Sequence, residues 1–78
     1  MRWTFTRADE TVVCELGLNR DDTRYELRLD PPWNPLALAP EFFDDAMSAF
    51  QRQAEVEKLL IREGWSLEGF ELHWRGRG

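Results

Sequence analysis

Gln53 and Glu57 are the residues of this chain whose types and spacing come nearest to chemistry. They stand four apart, so a helix would bring them side by side on one face. Apolar residues surround them at helical spacing, and a carboxylate set in an apolar stripe needs either a partner or a use. The use would be the polar floor of a pocket between helix and sheet, formed by Glu57 and Gln53, with the carboxylate pKa expected to be raised by burial. The plainer reading, which is favoured, has Glu57 emerging at the sheet margin or pairing with Arg2 or Arg7, and a dimer seam is a third.

The remaining chemistry is thinner. Cys14 and His73 form the one thiol and imidazole combination, and a nucleophilic cysteine would need such a base within hydrogen-bond reach. Strand parity opposes it: Cys14 belongs to the inward set of its strand and His73 to the outward set of its own, so Cys14 is expected to be a small buried hydrophobe and His73 a surface residue. With one cysteine and one histidine, no zinc spacing exists. The acidic pairs Asp9-Glu10, Asp21-Asp22 and Asp44-Asp45 fall in turns or at a helix start, where carboxylates serve local backbone needs. Phosphate loops, dinucleotide fingerprints and calcium loops are absent, and neither cofactor nor metal is expected.

Arg24 and Arg28, with His73 and Arg75, collect on what should be the open face of a sheet. Glu15, Glu26 and Glu71 interrupt them, and parity sends the aromatic rings inward, away from any base that could stack. A formal net charge of −5 further disfavours nucleic acid, which is bound through clustered cations. No apolar run approaches the ~20 residues that span a bilayer, and the first ten residues lack a signal peptide's apolar stretch, so the expectation is a cytoplasmic protein without a membrane partner.

The elements that must position these groups follow from a change of period. Apolar residues alternate through Trp3 and Phe5, then Val12, Cys14, Leu16 and Leu18, then Tyr25, Leu27 and Leu29, marking half-covered strands over about 2–6, 11–19 and 23–30. Short polar turns at 7–10 and 19–22 make these an antiparallel meander. A proline-rich connector, 31–40, ends the sheet; within it Leu36 to Ala39 reads equally as an edge strand or a loop.

From about 41 to 63 the period is helical. With Phe42 at zero and about 100° per residue, Ala46, Ala49, Phe50, Ala54, Val56, Leu60 and Ile61 fill an arc centred near 50°, with Gln53 and Glu57 inside it. Gly64 suits a left-handed cap, and Trp65 beyond it should fold back on the last turn. A short strand over about 70–75 follows, with 66–69 read alternatively as a helical turn, and 76–78 fray.

The expectation is therefore one α+β domain over 1–78: a three-stranded antiparallel meander, one long helix packed on one sheet face, and a short C-terminal strand. The expected function is a small interaction or assembly module without catalysis, homodimeric, with Trp33 and Trp74 available to an interface. The alternative is a small-molecule-binding or hydrolytic domain built on Gln53 and Glu57. A third is weak nucleic-acid binding through Arg24 and Arg28.

Overall fold

A computed structural model describes residues 1–19, 21–30 and 40–72. The expected use of Trp33, His73, Trp74 and Arg75, the question of a strand at 36–39 and the frayed tail all lie outside these residues.

Three strands carry the alternating pattern: β1 (Arg2–Arg7), β2 (Glu10–Leu18) and β3 (Tyr25–Asp30). Each pairs antiparallel with the next, Trp3 opposite Cys14 and Leu16 opposite Leu27. The first hairpin turns through Ala8 and Asp9, with Ala8 in the left-handed region at φ 54°. At the second turn the Asn19 side-chain carbonyl accepts from the Thr23 and Arg24 amides, an Asx-type closure.

The sheet is wider than a meander. Two short strands flank it, β4 (Glu41–Phe43) beside β3 and β5 (Ser66–Glu71) beside β1, giving five antiparallel strands in the order β4-β3-β2-β1-β5. Two expectations change accordingly. Residues 41–43 are strand rather than first helical turn, because Phe43 opposite Tyr25 completes the inner face while Phe42 opposite Glu26 points outward. The last strand begins at Ser66, not near 70. Glu68 is the extra residue of a bulge, with Leu67 opposite Phe5 and Gly69 opposite Thr4. The bulge puts Leu67 and Phe70 on the same inner face although they are three residues apart.

The helix α1 runs over Ala46–Arg62. Asp45 caps it, its carboxylate accepting from the Ser48 amide at 2.7 Å. At the other end Gly64 (φ 95°) donates to the Ile61 carbonyl and Trp65 to that of Leu60, the two hydrogen bonds of a Schellman motif. Trp65 is thereby turned into the core at 3 % exposure, and the Arg7 guanidinium lies 4.7 Å above its ring while donating to the Glu63 carbonyl.

The core lies between α1 and the sheet: Phe5, Val12, Cys14, Leu16, Leu27 and Leu29 below, Ala49, Val56, Leu60 and Trp65 above. The helix face differs from the expected one. Ala49, Gln53, Val56 and Leu60 are buried, whereas Phe50, Ala54 and Ile61 of the expected arc are exposed, a rotation of about 60° on a 100°-per-residue wheel. The reason lies at β4: Arg52 of the helix grips Glu41 with two nitrogens, at 3.1 and 3.3 Å, and pins that flank to the sheet edge. This pairing holds the Arg52 guanidinium above its ordinary pKa.

Candidate functional site

Gln53 and Glu57 do meet. The helix sets them one turn apart, and the Gln53 Nε2 donates to Glu57 Oε1 at 3.2 Å. Gln53 is buried at 6 % exposure and Glu57 is half-buried. The expected arginine partners are elsewhere: Arg2 projects from the far face of the sheet to Glu15 and Glu71, and Arg7 is held by Glu10, Glu63 and Trp65. No ion pair reaches Glu57 among the described residues. Its charge is felt beneath: burial first, then the Glu57 and Glu15 carboxylates, push the Cys14 thiol up to about 12. A thiol so protonated is no nucleophile at neutral pH. The cluster is a carboxylate, an amide and an inert thiol, which lacks both an activated nucleophile and an electrophilic stabiliser.

On the outer face Arg24 and Arg28 are spoken for by neighbours. Arg28 lies 3.6 Å from Glu15 and Arg24 3.2 Å from Asp44, with the Arg24 guanidinium 5.8 Å from the Phe42 ring centre. The cross-strand register strings these charges into a ladder over four strands, Glu71, Arg2, Glu15, Arg28, each sign followed by its opposite. Such pairs are each worth roughly 0.2–1 kcal/mol, and they leave little unbalanced positive charge for a phosphate backbone. Among the described residues no three metal-ligating side chains gather, and no helix is long and apolar enough to cross a membrane.

The surface that departs from a fully solvated exterior is a third one. A cleft of about 260 Å³ opens between the start of α1, the start of β1 and the end of β5, walled by Met1, Leu16, Tyr25, Ala46, Phe50 and Leu72. Two of its walls, Phe50 at 42 % and Leu72 at 72 %, are exposed, and β5 also carries Phe70 at 49 % exposure. Phe70 stacks at a tilt on Trp3, ring centres 5.3 Å apart, so this rail of β5 is anchored to β1. The cause is geometric: five strands spaced about 4.8 Å apart are wider than one helix of about 10 Å can roof. Sequence reasoning missed this corner, although a second helical stripe, Met47, Phe50, Ala54, Glu57 and Ile61, was legible beside the buried one. That three-four spacing lies one residue out of step with the buried stripe.

Comparison with family models, with curated proteins and with solved structures found no match to this chain. The fold and the surfaces described define its class as a compact α+β domain with one helix on a five-stranded antiparallel sheet.

Proposed function

We propose that this chain is a small interaction module without catalysis that works by self-association. The observation that carries the reading is the half-roofed inner face of the sheet, where large apolar side chains remain in contact with water beside an open cleft. Exposed apolar patches of this kind, contiguous rather than scattered, mark association surfaces in soluble domains. A small chain also gains from a partner, since a domain of this size buries only about 60% of the surface its unfolded chain exposes.

The hydrolytic alternative has less behind it. The described walls of the cleft include neither Gln53 nor Glu57, and the cluster those two form offers no activated nucleophile. Nucleic-acid binding through Arg24 and Arg28 is opposed by their carboxylate neighbours. The test is the molar mass in solution by light scattering behind a sizing column, from about 10 μM to about 1 mM protein. A mass that climbs toward twice that of one chain supports the module. A single-chain mass throughout that range rejects self-association.

A further inference from the structure

We propose that the edge of β5 away from β1 pairs with the same edge of a second copy, the two strands running antiparallel across a two-fold axis with Leu72 opposite its own counterpart. The inference rests on the self-association reading and gives it a strand-to-strand geometry.

β5 ends the strand order, and among the described residues no strand lies beyond it. β4, at the other end, spans only three residues. The bulge at Glu68 breaks the upstream half of β5, so the regular stretch that can pair runs from Gly69 onward. Phe70 faces inward, stacked on Trp3, and Leu72 walls the inner cleft with Leu16 and Phe50. Glu71, between them, turns to the outer face, where it lies 3.5 Å from Arg2 and its side chain remains 62 % exposed.

Charge around Leu72 says which partner fits. Before it stand Glu68 and Glu71; after it, beyond the described residues, the chain reads His73, Trp74, Arg75, Gly76 and Arg77. An acidic half followed by a basic half is complementary to its own reverse, which is what an isologous contact demands. A two-fold axis normal to a sheet sets one residue opposite itself and keeps the two faces in step. Centred on Glu71, it would oppose two carboxylates. Centred on Phe70, it gives Glu71 only Gly69 to face, and centred on His73 it gives Phe70 only Gly76. Centred on Leu72, it sets Phe70 opposite Trp74 and Glu71 opposite His73, with no like charges directly opposed. Two copies, each with a net charge of −5, thus meet along a locally balanced seam.

Disulfide trapping on the full chain tests the register. Directly opposed residues of antiparallel strands bring their Cβ atoms to about 4.5–5.5 Å, close to disulfide range. In oxidised glutathione, with Cys14 buried and out of reach, Leu72→Cys is expected to form a covalent dimer about tenfold faster than Phe70→Cys. The counterpart of residue 70 lies four positions away, about 13 Å along the strand. Sedimentation equilibrium then reads the strength. Leu72→Pro lies past the last β1 to β5 pair, Arg2 with Glu71, and is expected to raise the dissociation constant about tenfold or more while circular dichroism shows the fold kept. Glu71→Lys is expected to weaken the dimer about fivefold, and adding His73→Glu to restore it. A dimer that traps no faster at 72 than at 70 and ignores Leu72→Pro overturns the strand pairing while leaving self-association standing. A single-chain mass for the unaltered chain at all concentrations overturns both.

Discussion

Two stripes of the same helix, one residue apart in sequence, meet opposite fates. Ala46, Ala49, Gln53, Val56 and Leu60 face the sheet, while Met47, Phe50, Ala54, Glu57 and Ile61, with the same three-four spacing, are left exposed or, for Glu57, half-buried. Both carry apolar residues, and each carries one polar residue near its middle. Composition therefore does not decide which is core. The decision comes from the flank opposite, where Arg52 and Glu41 tie the helix to β4 and roll it so that the first stripe points down. An ion pair of modest energy can settle orientation where two hydrophobic faces are close to equivalent.

This contrast is sharpest at neighbouring residues. Leu60→Ala, at a side chain with no exposed surface, is expected to lower unfolding free energy by about 2–5 kcal/mol in urea titrations, whereas Ile61→Ala should stay within about 0.5 kcal/mol. Equal losses would mean that the second stripe is also core. The thiol under the first stripe gives a pH-resolved version. Cys14 is held protonated up to about 12 in the fold, against an ordinary 9.0, so the unfolded chain releases this proton first. Its contribution is fully present below about pH 9 and is lost as pH rises toward 12. The loss is of order 2–3 kcal/mol over two pH units in that window. Cys14→Ala should flatten that part of the stability curve, and an unchanged slope would contradict the burial.

The ends of the helix come next in size. Gly64→Ala meets no crowding, with Arg7 Cδ 3.6 Å from the added carbon, so its cost of about 1–2 kcal/mol would be purely that of a left-handed backbone. Asp45→Ala should lose about 1 kcal/mol with the cap. A small effect is also expected where the stripes touch: Gln53→Leu removes the donor to Glu57, and because Glu57 is half-open to water the change should stay under about 1 kcal/mol. A larger loss would show the amide and carboxylate to be a buried unit.

Much of this architecture was legible in the residues. The three central strands, their facing, the inward thiol and the turn at Gly64 and Trp65 all follow from spacing and local chemistry. The misses have identifiable causes. Glu41-Phe42-Phe43 is too short to show a period, and joined to the helix behind it, it pulled the expected apolar arc away from the true face. In β5 the bulge at Glu68 resets the alternation, so the pattern counted back from Trp74 and Leu72 does not extend to Leu67. For the candidate site, the meeting of Gln53 with Glu57 is dictated by helical geometry alone. That Arg2 lies elsewhere was legible too, since it alternates with the inward Trp3 and Phe5, whereas the capture of Arg7 by Glu63 and Trp65 depends on long-range packing.

The strand order has a kinetic consequence. β1, the earliest of the described strands in the chain, sits inside the sheet, and its second neighbour is β5, the latest of them. Until residues 66–71 arrive, β1 presents an open backbone edge flanked by Trp3 and Phe5, of the kind that recruits other chains. Contacts this distant in sequence close slowly, after the local hairpins and the helix have formed. Any slowing of synthesis near the helix would lengthen the life of that bare edge, so the hazard of aggregation belongs to the nascent chain more than to the finished fold.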